Sequence, residues 1–210
     1  MTQIITLLSQ KGGPGKSTIA RMAAVAFAQA GWDTKLLDAD THQSTSVRWY
    51  GRRQASGLST ENLIVSSTGA ISRNCSHDLI IVDGAPHATT QTVEFAKQAD
   101  LILIPTGLAI DDLAPASSLA MALVKHHGIN PERIRFVLNK VGVKQVEVQE
   151  AILALEESGV KVMAETLRES LCYRAALDAG KAPQEVPYSI PKRRALALVT
   201  AIGDTLEQVA

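Results

Sequence analysis

The stretch from Ser9 to Thr18, SQKGGPGKST, constrains this chain more than any other. It follows the apolar run Ile4-Ile5-Thr6-Leu7-Leu8 and leads into Ile19, Met22, Ala23, Ala26 and Phe27 at helical spacing, so it joins a buried strand to a helix with one buried face. Gly12, Gly13 and Gly15 let the backbone turn its N–H groups toward one point, and the helix behind them adds its positive N-terminal end. A polyanion fits there. Lys16 can reach the terminal phosphates as a point charge, and the Ser17 hydroxyl is placed for a Mg²⁺ ion bridging them.

At 210 residues the chain is long enough for one domain with a real core and short for two, so a single domain over residues 1–210 is expected. Hydrophobic residues make up 46% but aromatics only 4%, a balance that suits helices packed on a buried parallel sheet. Lys plus Arg and Asp plus Glu number 21 each, so any nucleic-acid contact must come from a local basic patch rather than the overall field. Cys75 and Cys172 stand apart without CxxC spacing and read as small buried apolar residues. No secretory start or long apolar span is visible, which makes a reducing cytoplasm the expected compartment.

Thr34 to Leu37 reads as a second strand that carries Asp38 and Asp40 to its carboxyl end, the edge where open α/β sheets place ligands. Two acids there invite a cation, although a turn aspartate with a solvated neighbour gives the same pattern. The run Leu79-Ile80-Ile81-Val82 ends in Asp83, placed to hold Mg²⁺ through its water shell, and Gly84 and Ala85 leave room beside the terminal phosphate. Leu101 to Pro105 and Arg135 to Asn139 are further strands around a helix over residues 113–127, ended by Gly128. Asn139 either offers its amide to a purine edge or closes a strand-end turn. Residues 144–157 form a helix stopped by Gly159, residues 160–163 a last strand, and Pro191 opens a closing helix.

Ser46 to Arg53 mixes arginines with Trp49 and Tyr50, which suits either a nucleic-acid contact or an amphipathic helix with its aromatics packed. Lys192, Arg193 and Arg194 are consecutive cations at a helix start, where they oppose the helix dipole and are better explained by an anionic partner than by stability. A solvated basic turn is the alternative.

The block KGGPGKST, with Lys11 before the glycines and Gln10 where the common phosphate loop has Gly, resembles the deviant Walker A motif of the ParA/MinD family of ATPases. Leu-Leu-Asp-Ala-Asp resembles that family's second motif, usually Asp-x-Asp-Pro-Gln, and Asp83 its Walker B acid. Asp112 matches the acid after the family's strand-Pro segment, and Tyr173-Arg174-Ala175 its late Tyr-Arg-Ala block. The resemblance spans nearly the whole chain and is most specific up to residue 112.

It implies a single-domain, P-loop NTPase-like α/β fold with a mostly parallel sheet of about seven strands and helices on both faces. ATP and Mg²⁺ are the implied cofactors, with Lys11, Gly12, Gly13, Pro14, Gly15, Lys16, Ser17, Thr18 and Asn139 on the nucleotide and Ser17, Asp38 and Asp83 around the metal. Lys11, Lys16 and Asp40 are the implied catalytic residues: Lys11 crosses an ATP-bound homodimer to the partner's phosphates, and Asp40 orients the attacking water. Lys11 and Asp112 belong to the implied dimer interface. Thr41-His42-Gln43 departs from the Pro-Gln pattern, so which atom meets the water stays open, and His42 reads as a base or as a solvated loop group.

The implied function is an ATPase, turning ATP and water into ADP and phosphate, that segregates plasmid or chromosomal DNA or positions another cargo. Its dimer would hold nonspecific double-stranded DNA through Lys192, Arg193 and Arg194 with help from Arg168 and Arg174. A ParB-like protein or cargo adaptor would stimulate hydrolysis, and the chain would be cytoplasmic and nucleoid-associated. A MinD-like membrane switch is one alternative, opposed by the acidic, weakly apolar residues 203–210; a metabolic P-loop ligase or synthetase is another.

Overall fold

Apolar residues in the strands alternate between two cores, as a period of two requires when both faces of a sheet are covered. In the computed structural model, which describes residues 1–67, 71–86 and 90–209, Ile5 and Leu7 point into one core and Ile4 and Leu8 into the other. All four belong to β1 (Gln3–Ser9), whose phosphate loop leads into α1 (Lys16–Gln29). Next come β2 (Thr34–Asp38), α2 (Thr45–Ala55), β3 (Leu63–Ser66), β4 (Leu79–Pro86), α3 (Thr90–Gln98), β5 (Leu101–Thr106) and α4 (Ile110–His127). The chain closes with β6 (Ile134–Val141), α5 (Gln145–Glu156), β7 (Lys161–Val162), β8 (Leu167–Arg168), α6 (Leu171–Asp178) and α7 (Ser189–Val209).

The strands run β3-β2-β4-β1-β5-β6-β7, with β8 also on β6, and every pairing is parallel. This is the expected α/β sheet, with one strand, β8, that the sequence reading did not separate from its surroundings; two residues are too few to show a period. α1, α2, α6 and α7 contribute to the core on one face, and α3, α4 and α5 to the core on the other. The strand order reverses at β1, between β4 and β5, which is where a parallel sheet opens a crevice at its carboxyl edge. The phosphate loop and Asp83 both sit at that edge.

Four local expectations change. α1 is buried nearly all round rather than on one face, from Ile19 through Val25, because α7 and α2 lie against it as well as the sheet. Gly84 is fully inside β4, and a Cβ there would stand 2.5 Å from the Leu7 carbonyl oxygen; what it leaves room for is the approach of β1, at the point where the β1–β4 register shifts. α7 begins at Ser189, so Pro191 falls within the first turn, where a missing N–H costs nothing, and Lys192 is the first residue to donate back, to Tyr188 O at 3.1 Å. That moves the three cations past the helix start and weakens the dipole argument for them. Finally, the two cysteines are half-buried rather than core residues, with Cys75 beside the Thr2 hydroxyl and Cys172 beside that of Ser170.

Candidate active site

The phosphate loop is held from the neighbouring strand end as well as by its own glycines. Gly15 adopts φ 103°, and a Cβ there would fall 1.8 Å from Asn139 Nδ2, so glycine is required for both reasons. Asn139 is buried at the end of β6, where its Nδ2 donates to Pro14 O at 2.7 Å and its Oδ1 accepts from Lys140 N at 2.9 Å. Lys140, in the left-handed region at φ 57°, donates from Nζ to Gly13 O at 2.8 Å. One bond from each amide atom of Asn139 thus straps the loop to the strand end, and each atom keeps a second hydrogen-bonding position. It also lines a cavity of about 190 Å³ with Thr18, Arg168, Tyr173 and Arg174. That location puts Arg168 and Arg174 beside the loop, whereas Lys192 and Arg193 are exposed on α7.

Lys16 is buried, and its Nζ donates to Ser9 Oγ at 2.7 Å, while Ser9 Oγ donates to Lys11 O at 2.7 Å. Burial lowers the Lys16 pKa, and the carboxylates of Asp83 and Asp40 pull it back up. The three groups expected to act on the phosphates, the metal and the water are therefore electrostatic neighbours. Lys11 does not point across to Lys16. Its Nζ donates to Asp111 O and lies 3.6 Å from Asp112 Oδ1, so the two residues assigned to a dimer interface meet within one chain, at an exposed edge.

Asp38 and Asp83 lie opposite each other in the β2–β4 register, and both are buried. Asp38 Oδ2 accepts from Ser46 N at 2.7 Å and Val47 N at 3.2 Å, and Oδ1 accepts from Asp40 N at 3.3 Å. These donors include N–H groups of the first turn of α2, which lack helical partners, so Asp38 caps that helix from a distance and supports the loop. Three of the roughly four acceptor positions of Asp38 go to backbone N–H groups, an arrangement that suits a support for the loop behind the metal. Asp40 is half-exposed, and its Oδ1 accepts from Gln43 N at 3.0 Å. His42 is exposed next to it, and among the described residues no hydrogen bond orients it as a base.

Asp83 Oδ2 accepts from Ser46 Oγ at 2.7 Å, whereas Oδ1 is buried and has no hydrogen-bond partner among the described residues. Burial raises the pKa of Asp83 against the opposing pull of the Ser46 and Ser17 hydroxyls. A buried carboxylate oxygen without a donor, with the Ser17 hydroxyl and Lys16 close by, fits a divalent cation. A single buried carboxylate beside a hydroxyl suits Mg²⁺, which takes one or two protein ligands and completes its shell with phosphate and water.

Two residues at this site escaped the sequence reading. Ser46 Oγ accepts from Arg21 Nε at 2.9 Å, and Arg21 is buried over the Trp49 ring at 5.7 Å. Trp49 packs fully, as the amphipathic-helix alternative for residues 46–53 requires. Arg53 is buried too and makes a two-point pair with Glu185 at 2.7 and 2.9 Å, so it cannot serve an exposed nucleic-acid surface. Only spatial neighbours reveal these roles.

A phosphate cradle at the carboxyl edge of a parallel sheet, beside a strand-end acid free for a cation, defines a P-loop nucleotide-binding protein. The comparisons with known proteins narrow this: residues 5–183 match the CobQ/CobB/MinD/ParA nucleotide binding domain, and the chain belongs to that family. It is 26% identical over 185 residues to Protein ParA of Rhizobium radiobacter, covering 84% of this chain and 83% of that protein. Its fold matches MinD of Pyrococcus horikoshii OT3 complexed with Mg-ADP, at TM-score 0.75 and 18% identity over 100% of this chain and 99% of that one. It also matches an ATP complex of McdA from Cyanothece, at TM-score 0.76 and 18% identity over 96% of both chains.

Proposed function

We propose that the chain is an ATPase that dimerises on binding ATP and Mg²⁺, holds nonspecific double-stranded DNA as a dimer, and releases it when a partner protein stimulates hydrolysis. The observation that carries the reading is the buried Asp83 Oδ1, without a hydrogen-bond partner among the described residues, at the sheet edge that also bears the phosphate loop. Mg²⁺, when bound, would neutralise developing charge on the phosphates. Ser17 and Asp83 would hold it, and Lys16 would pass from Ser9 Oγ to the terminal phosphates. Asp40 would orient the water. Lys11 would leave Asp112 for the phosphates of the second copy, with Asp112 remaining at the interface. The nucleotide complexes of MinD and McdA support the choice of cofactors.

DNA contact is assigned to Lys192, Arg193 and Arg194, with Arg168 and Arg174 nearer the nucleotide. The experiment is phosphate release with Mg-ATP, together with binding to unrelated duplexes across a salt series. ATP-dependent DNA binding is expected, and Arg193→Ala should reduce the salt slope of log K by about 0.9 per lost phosphate contact. Wild-type slope in that variant would move the surface elsewhere.

One observation favours a second reading, a membrane-associated switch. Leu171, Tyr188, Ile190 and Leu196 are exposed near the same cations, a combination that suits an anionic bilayer surface, although no described helix is long and apolar enough to cross a membrane. Co-sedimentation with anionic vesicles and with DNA, each with and without ATP, separates the two.

A further inference from the structure

We infer that Arg21 and Ser46 are positioning residues that set how Asp83 presents itself to the metal, an inference that rests on the Mg²⁺-nucleotide reading of this site. The Ser46 hydroxyl has one proton. Its oxygen accepts from Arg21 Nε at 2.9 Å, so that proton goes to Asp83 Oδ2 at 2.7 Å. The direction of the bond is thereby fixed by a residue that cannot release its own proton.

Each member is held by something else. Arg21 is buried and stacked over Trp49 at 5.7 Å, and Trp49 Nε1 donates to Lys181 O at 3.1 Å. Ser46 is fully buried, and its backbone N–H is fixed on Asp38 Oδ2 at 2.7 Å. With one bond fixed on Oδ2, the oxygen left without a hydrogen-bond partner among the described residues is the buried Oδ1. The relay runs from α1, which carries Lys16 and Ser17, through the start of α2 to the end of β4. It therefore ties the phosphate cradle, the loop bearing Asp40 and the metal-facing acid into one arrangement. If Ser46 were replaced by alanine, Asp83 would be free to rotate toward Arg21 and close an ion pair, turning its open oxygen away from the cation.

Binding of a fluorescent ATP analogue at fixed concentration, titrated with Mg²⁺ from an EDTA-treated start, tests this without relying on turnover. Ser46→Ala should need about 10–100-fold more Mg²⁺ for half-maximal enhancement, the usual cost of losing a residue that orients a metal ligand. Its analogue affinity in EDTA should match wild type, and Ser46→Thr, which keeps the hydroxyl, should restore the Mg²⁺ requirement. If thermal melting shows that Ser46→Ala does not fold, Arg21→Lys, which keeps the charge but not the Nε geometry, is read in its place with the same expected direction. A wild-type Mg²⁺ midpoint in the folded variant overturns the relay. Absence of any Mg²⁺ effect in wild type overturns the Mg²⁺-nucleotide reading instead.

Discussion

Asp38 and Asp83 occupy matching positions on adjacent parallel strands, both buried, both at the ligand-binding edge, and they do different work. Backbone N–H groups of Asp40, Ser46 and Val47 occupy Asp38, whereas Asp83 accepts a hydroxyl on one oxygen and has no hydrogen-bond partner on the other among the described residues. Ser46 joins them, giving its backbone N–H to Asp38 and its hydroxyl to Asp83. A strand-end acid therefore becomes structural or chemical according to what the next helix brings to it. A carboxylate surrounded by amide donors fixes a loop, and one left short of donors in a buried place is poised for a cation.

The largest effect that would break this contrast is on stability. Asp38→Ala leaves three backbone N–H groups without their acceptor, and at about 1–3 kcal/mol for each buried donor left unpaired the variant should lose roughly 3 kcal/mol or more. Urea denaturation in EDTA without nucleotide measures it, and a loss below about 1 kcal/mol would mean that water or rearranged backbone replaces the carboxylate readily. Asp83→Asn should behave in the opposite way. Asn keeps an acceptor for the Ser46 hydroxyl and removes a charge that burial disfavours, so its urea stability in EDTA should stay within about 1 kcal/mol of wild type. The stabilisation that Mg²⁺ adds to the nucleotide complex should vanish in the same variant. A Mg²⁺ response equal to wild type would remove Asp83 from the metal.

A finer test uses pH. Burial raises the Asp83 pKa, so the native state holds this proton more tightly than the unfolded chain, whose value is near ~3.9. The stability linked to the protonated form is full below the unfolded value and is lost as pH rises through the native one. Asp83→Asn should accordingly gain on wild type as pH rises from about 4. Glu185 contributes the reverse slope: burial raises its pKa, but the bonds from Arg53 and the Ala182 N–H outweigh that and leave it lowered, so its stability is present above the unfolded value near ~4.3 and lost on acidification. The difference between variant and wild type cancels Glu185, and the opposite sign in that difference would show that apo Asp83 is stabilised as a carboxylate.

Much of this site is legible in the sequence because its signals are local. The glycines, Lys16 and Ser17 sit at fixed spacing between a strand and a helix, and Asp83 ends an apolar run, so both positions follow from short windows. What the sequence conceals depends on distance along the chain. Arg21 bonds Ser46 25 residues away, Ser46 bonds Asp83 37 residues away, and Lys140 reaches Gly13 across 127. Arg53 looks like one member of a basic run until Glu185, 132 residues later, closes over it. Asp38 and Asp40 are separated in the sequence only by the resemblance, since the α2 donors that engage Asp38 are not visible there. The short strand β8 has too few residues to carry a period, and Lys192 to Arg194 change position relative to the helix start because α7 begins before its proline.

The central claim is that nucleotide and metal at this edge close two copies of the chain on one another. Light scattering during size exclusion, with wild type in EDTA, in Mg²⁺ with ADP, and in Mg²⁺ with ATP, tests it most directly, with Lys16→Ala as the control. Wild type should run at twice the 22.4 kDa of one chain only with Mg²⁺ and ATP, and Lys16→Ala should remain at 22.4 kDa in all three conditions. A wild-type mass that does not change with nucleotide, or a doubled mass for Lys16→Ala with ATP, would contradict it.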